Sequence, residues 1–96
     1  MITTSSELIS TVADRVREAR LAADLTQVGL AARAGVSLGS LRRFETSGQI
    51  ALESLARLAI ALSREHDFDA LFAPPPVASL DALIAPVPAR RRGRRT

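Results

Sequence analysis

The first apolar pattern along the chain has helical spacing. Thr4 precedes it and Glu7 follows three residues later, which is the arrangement of a capping box at a helix start. The pattern predicts a first helix that begins after Thr4 and ends near Ala23. Its apolar positions are Leu8, Val12, Val16 and Ala19.

Two shorter helical patterns follow, and the first of them begins at Thr26. Threonine is a favourable N-cap residue, because its hydroxyl accepts a hydrogen bond from a backbone N–H that has no partner within the helix. Gly35 stands where a left-handed residue would stop a helix. The pattern predicts a helix over Gln27–Ala34. Its apolar positions are Leu30, Ala31 and Ala34.

The second short pattern begins at Ser37, another N-cap residue, and predicts a helix over Leu38–Thr46 that stops at Gly48. Its apolar positions are Leu41 and Phe44. Two helices joined by a short turn that contains glycine form a helix-turn-helix unit. The alternative is a helical hairpin rich in alanine and leucine that imitates parts of this spacing.

The next stretch predicts two further helices. Leu52–Ser63 carries an apolar stripe wide enough to be entirely core, with Ile60 at an edge that a partner can cover. A short fifth helix is expected at Phe68–Phe72, where the apolar side chains form either a lid on the core or a dimer contact, and we favour the dimer contact. His66 lies among charged residues, which favours an exposed structural role over a ligand or a catalytic base.

The composition changes after residue 73. Pro74–Pro76 would form a stiff, extended spacer. Ser79–Ile84 offers one or two capped amphipathic turns with apolar Leu80, Leu83 and Ile84. Arg90–Thr96 is too charged to pack and is expected to be disordered alone. This basic tail suits non-specific DNA binding, and equally an acidic protein surface.

Charge is unevenly distributed along the 96 residues. The net charge is +3, but five of the 13 arginines lie in the last seven residues. The body through Ala89 therefore holds 8 basic and 10 acidic residues, a net charge of −2. Aromatic residues make up only 3% of the chain, so the core must be aliphatic and small, and dimerisation would add stability.

The reactive side chains that enzymes need are few. The chain has no cysteine and one histidine, which rules out disulfides, thiolate metal sites and cysteine nucleophiles. It also has no glycine loop for phosphate and no cluster of metal ligands, so we expect neither an enzyme nor a cofactor. The first residues lack the features of a secretion signal and no apolar run approaches membrane-spanning length. These features indicate a cytoplasmic protein without a membrane partner.

The central stretch resembles the lambda-repressor-like (Xre/Cro-type) helix-turn-helix domains. The resemblance covers roughly Asp14 to Leu62. It implies an all-α, five-helix DNA-binding domain over residues 4–73, followed by the Pro-rich and Arg-rich segment 74–96. It also implies a transcriptional regulator that binds a palindromic operator as a homodimer. The residues that carry it are Arg17, Arg20, Leu25–Gln27, Leu30, Ala31, Ala34–Ser37, Phe44, Glu45 and Gly48.

The resemblance assigns roles to individual residues. Arg20 would pair with Glu45 and tie the first helix to the third. The third helix would enter the major groove, where Arg43 is suited to a bidentate contact with guanine. The alternative for Arg42 and Arg43 is a solvated helix face. The residues expected to contact DNA are Gln27, Ser37, Leu38, Gly39, Ser40, Arg42, Arg43 and Thr46.

Several of these contacts differ in kind. Gln27 and Thr46 would contact the DNA backbone, and Ser37 and Ser40 suit phosphate or water-bridged contacts. Leu38 is placed on the outward face, where it would pack on a thymine methyl. Gly39 has no side chain with which to read a base.

The order of segments after the domain is a Pro-rich spacer, the short segment Ser79–Ile84 and an Arg-rich tail. This order is similar to that of HipB-type antitoxins. Such a protein represses its own operon and binds a HipA-type kinase toxin. The alternative is an interaction module that neutralises a partner toxin through its C-terminal segment, with DNA binding secondary.

Overall fold

A computed structural model describes residues 3–76, and within them the chain is all-α, as expected from the sequence. Met1, Ile2 and residues 77–96 lie outside the described part, and with them the predicted Ser79–Ile84 turns and the arginine tail. The five described helices are α1 (Ser5–Ala22), α2 (Gln27–Ala34), α3 (Leu38–Ser47), α4 (Leu52–Ala61) and α5 (Glu65–Asp69).

The start of α1 is fixed by local hydrogen bonds. The Thr4 hydroxyl accepts from the Glu7 backbone N–H at 3.1 Å, and the Glu7 carboxylate accepts from the Thr4 N–H at 3.0 Å. The reciprocal pair satisfies two backbone donors that no helical carbonyl can reach. The predicted capping box is therefore present.

The fifth helix is displaced from its predicted position at Phe68–Phe72. It begins three residues earlier, because Ser63 adopts a left-handed φ of 58° that ends α4, and the next turn starts directly at Arg64. Phe72 has a left-handed φ of 59° and cannot extend the helix. The same turn at Ser63 ends α4 at Ala61, two residues before the predicted end.

The core lies where the two short helices meet α1 and α4. α3 packs against both α1 and α2, and α2 packs against α4. Leu30, Leu41 and Leu58 are fully buried and Phe44 is 1% exposed. The remaining buried apolar residues are Ala13, Ala31 and Val36. Since α3 is held from two sides, its buried face is fixed and only the opposite face is free.

Candidate nucleic-acid interface

The turn between α2 and α3 depends on Gly35. This residue is left-handed, with φ 71° and ψ 32°, a conformation that costs other residues about 1 kcal/mol or more. The following Val36 N–H donates to the Ala31 carbonyl at 3.0 Å and closes the end of α2. Ala31 is 4% exposed and Leu41 is completely buried, so the turn brings the two helices into close contact.

The N-terminus of α3 is capped by a pair of serines. The Ser37 hydroxyl accepts from the Ser40 backbone N–H at 3.1 Å and donates to the Ser40 hydroxyl at 2.8 Å. In this arrangement the proton of the Ser40 hydroxyl remains able to donate to an outside acceptor. The cap therefore fixes both hydroxyls at the end of the helix where a phosphate is favoured.

The outward face of α3 presents two arginines. Arg42 and Arg43 are exposed, and neither forms an ion pair within residues 3–76. Gly39 is exposed on the same helix, and a Cβ placed there would meet no atom within 4 Å. Thr46 is also exposed. In the described part of the chain, this face of α3 is accessible to solvent.

Leu38 does not belong to that outward face. It is half-buried and packs against the core. The physical reason is its position three residues before Leu41, which places both side chains on the same side of the helix. The prediction that Leu38 lies on the outward face was therefore wrong.

The C-terminus of α3 lies close to α1. Gly48 is left-handed, with φ 83°, and a Cβ there would lie 3.0 Å from Cγ1 of Ile9. Its N–H donates to the Phe44 carbonyl at 2.7 Å. A side chain at this position would fit only if Ile9 shifted, and the left-handed φ would strain it in addition, so glycine suits both the end of α3 and its close approach to α1.

The structure brings Arg20 and Glu45 together in a network of hydrogen bonds. Arg20 Nε donates to Glu45 Oε2 at 2.8 Å, and a second guanidinium nitrogen donates to Oε1 at 3.0 Å. The third guanidinium nitrogen donates to the Leu25 carbonyl at 2.9 Å. The side chains are 9% and 5% exposed, so this is a nearly buried bidentate pair.

Gln27 completes the network from α2. Its side-chain amide donates to Glu45 Oε1 at 3.0 Å, so the same carboxylate joins α1, α2 and α3. Gln27 is half-buried, and one of its two amide donors is engaged inside the protein. Sequence reasoning missed this bond, because the residues are 18 positions apart and no spacing rule connects them.

The pKa of Glu45 lies below its ordinary value of 4.5. Burial alone would raise this pKa by disfavouring the carboxylate. The hydrogen bonds from Arg20 and Gln27 and the positive charges of Arg20 and Arg17 outweigh the burial. Glu45 therefore remains a carboxylate at neutral pH.

The helix-turn-helix unit is basic, whereas its surroundings are acidic. Residues 26–48 contain three arginines and one acid, a net charge of +2. Residues 3–25 and 49–76 together contain five arginines and eight acids, a net charge of −3. Because the single acid of the unit is Glu45, which is paired with Arg20, the exposed charge of the unit is entirely positive. A positive charge of this kind favours the binding of anionic groups such as phosphates.

No group of three or more histidine, cysteine, aspartate or glutamate residues within 3–76 could hold a metal ion. No helix there is both long enough and apolar enough to cross a membrane.

Comparison with known proteins fits the geometry. A family model described as helix-turn-helix matches residues 16–68, which is more than half of the 96-residue chain. No curated protein matches the sequence. The matched span contains the two capped helices, the Gly35 turn and both partners of the buried ion pair. The chain therefore belongs to the lambda-repressor-like, Xre-type helix-turn-helix family of DNA-binding regulatory domains.

Proposed function

We propose that this protein is a sequence-specific transcriptional regulator that represses its own promoter. The observation that carries the proposal is a pair of exposed arginines, Arg42 and Arg43, that form no ion pair within residues 3–76. They lie on the outward face of a helix that is capped at both ends. A recognition helix places such residues against base edges in the major groove.

Each residue on the outward face of α3 is assigned a contact with DNA. Arg43 reads guanine through a bidentate pair, and Arg42 takes a neighbouring base or phosphate. Ser40, through its free hydroxyl proton, and Thr46 hold phosphates on either side and set the register. Ser37 donates its proton to Ser40 and can only accept, so it is assigned a water-bridged contact. The exposed Gly39 lets the helix approach the groove closely.

Gln27 and Leu38 have more limited roles in this proposal. Gln27 sits in the first turn of α2, and its remaining amide donor is assigned to a phosphate. The bond from Gln27 to Glu45 fixes the direction of that side chain before DNA is bound. The part of Leu38 that remains accessible is assigned to a thymine methyl at the edge of the groove.

We further propose that the protein binds a palindromic operator as a homodimer. The support is a set of large apolar side chains that remain exposed near α5. Ile60 is 63% and Phe72 is 97% exposed, and neither lines the groove between α1, α4 and α5. A small domain gains stability by covering such residues, and two-fold symmetry would place the two recognition helices about one DNA turn apart.

We also propose a HipB-type antitoxin role, which is a more specific function than DNA binding. It rests on the sequence layout of residues 74–96, of which only Pro74–Pro76 lie in the described part. The alternative, a module that neutralises a partner toxin, rests on the same residues. Co-purification of the full chain with the product of a kinase-like neighbouring gene would support both roles. If the two proteins do not form a complex, both roles are contradicted, and the proposal of DNA binding is unaffected.

The test of the main proposal uses the full chain and the DNA upstream of its own gene. We expect a mobility shift that resists competition by unrelated DNA, and a footprint of two half-sites whose centres lie about 10 bp apart. Equal competition by specific and unrelated DNA would contradict sequence-specific binding. A footprint with one half-site would contradict the dimer alone.

A further inference from the structure

A second surface of the domain is apolar and open. A groove of about 510 Å³ lies between α1, α4 and α5. Val12 and Leu71 on its lining are 38% and 53% exposed, so apolar atoms face water in the described part of the chain. The other apolar residues that line the groove include Val16, Ala19, Leu55 and Phe68.

We propose that the chain's own segment Ser79–Ile84 occupies this groove and folds back onto the domain from which it emerges. Leu80, Leu83 and Ile84 have the i, i+3, i+4 spacing that places three side chains on one face of a helical turn. An amphipathic turn of this kind binds by laying its apolar face into an apolar groove. This proposal concerns a different face from the one assigned to DNA and does not depend on DNA binding.

The length of the connection favours the chain itself as the occupant. Leu71 lines the groove, and Leu80 follows it by nine residues. Nine extended residues span up to about 30 Å. The stretch of α1 from Val12 to Ala19 that lines the groove is only about 10 Å long. The segment can therefore reach every part of the lining, even if Pro74–Pro76 remain extended.

Tethering also favours the segment over a free partner. A segment on a short linker is present at an effective concentration in the millimolar range. A second copy of the chain at micromolar concentration would have to bind about a thousand times more tightly to displace it. The site is thus suited to weak, intramolecular binding.

The charges at the rim fit the same occupant. Arg15 lies at the groove, is exposed and makes no ion pair within residues 3–76. Arg64 on the same rim is already bonded to Asp67. Asp81 is the only acidic residue after Asp69, and it directly follows Leu80. An Arg15–Asp81 pair would fix the direction in which the segment lies.

The absence of cysteine from the sequence makes a direct test possible. In the full chain, Ala85→Cys would carry a nitroxide spin label beside the segment, and the methyl resonances of the protein would be observed by NMR. We expect the methyl signals of Val12, Val16 and Leu55 to lose most of their intensity. Val28, which lies on α2 and does not line the groove, should keep its signal. Unchanged signals in the groove, or equal losses at Val28, would overturn the proposal.

A mixed sample distinguishes docking within one chain from docking between two copies of the chain. Isotope-labelled protein without the nitroxide is combined with unlabelled protein that carries it. We expect the loss at Val12 and Val16 to be far smaller than in the first sample. A loss of equal or greater size would show that the segment docks on a second copy, which overturns the intramolecular proposal.

A matched pair of substitutions tests the apolar contact. Leu83→Asp in the spin-labelled chain should restore the groove signals, whereas Val87→Asp, outside the segment, should leave them weakened. Circular dichroism would show whether both variants keep the helical content of the parent chain. Identical effects of the two substitutions on the groove signals would overturn the proposal.

Discussion

The guanidinium group of Arg20 binds both carboxylate oxygens of Glu45, at 2.8 and 3.0 Å, and so joins α1 to the helix proposed to read DNA. Both side chains are almost completely shielded from water. A charge left without its partner in this position cannot be solvated, so the pair holds the position of α3 more firmly than an exposed pair would.

Removal of one partner should therefore be costly. We expect Glu45→Ala to lower the free energy of unfolding by about 3 kcal/mol, because it leaves the Arg20 charge buried and unpaired. Glu53→Ala is the matched control, since Glu53 pairs with Arg57 on the surface of α4, where such a pair contributes about 0.5 kcal/mol or less. Urea unfolding of both variants, followed by circular dichroism, makes the comparison. Equal losses would contradict the structural role of the buried pair.

The lowered pKa of Glu45 predicts a loss of stability in acid. The group binds its proton more weakly in the folded than in the unfolded chain, so its contribution is complete above the unfolded pKa and is lost as the pH falls through the folded pKa. The loss should begin near pH 4.5, the ordinary value, and continue below it. Glu45→Gln lacks this titration, so the stability gap between it and the parent should narrow with decreasing pH. Parallel unfolding profiles from pH 7 to pH 3 would rule out this linkage.

Two glycines of α3 should respond to alanine in opposite directions. Gly48→Ala should destabilise the protein by about 1–2 kcal/mol, because the left-handed φ is strained for alanine and the new Cβ would press on Ile9. Gly39→Ala should stabilise it by about 0.5 kcal/mol, because the position is helical and open. Thermal unfolding of the two variants provides the measurement. Destabilisation by both would show that Gly39 has a contact absent from this structure.

The arginine tail should affect the salt dependence of DNA binding more than its specificity. Deletion of Arg90–Thr96 removes five positive charges, so the slope of log K against log salt should become shallower by up to about 4.5. The preferred operator should stay the same, because phosphate contacts carry no sequence information. Titrations at several salt concentrations measure the slope. A changed base preference would show that the tail reads DNA directly.

Much of the fold could be predicted because the residues that start and stop its helices lie at the helix ends themselves. The caps at Thr4, Thr26 and Ser37 and the stops at Gly35 and Gly48 act within three or four residues, so the sequence alone indicates where these helices begin and end. The start of α5 has no such signal. Its N-cap, Arg64, makes no side-chain capping bond, and the apolar pattern points to Phe68–Phe72 instead.

The contacts within the site were harder to predict than the helices. Arg20 and Glu45 are 25 residues apart, so only the family resemblance, and no spacing rule, brought them together. The bond from Gln27 to Glu45 depends on the packing of α2 against α3 and had no signal at all. Leu38 was expected on the outward face, but its spacing of three residues from Leu41 places it toward the core.

Selection of bound DNA from a random pool would show whether the exposed arginines of α3 read base edges. The parent chain, Arg43→Ala and the control Arg15→Ala, an exposed arginine on α1, would be compared. We predict that Arg43→Ala weakens binding to the selected operator by about 1–3 kcal/mol and loses the base preference at one position of each half-site, whereas Arg15→Ala retains that preference. An unchanged base preference in Arg43→Ala, or the same loss in both variants, would show that Arg43 does not read a base of the operator.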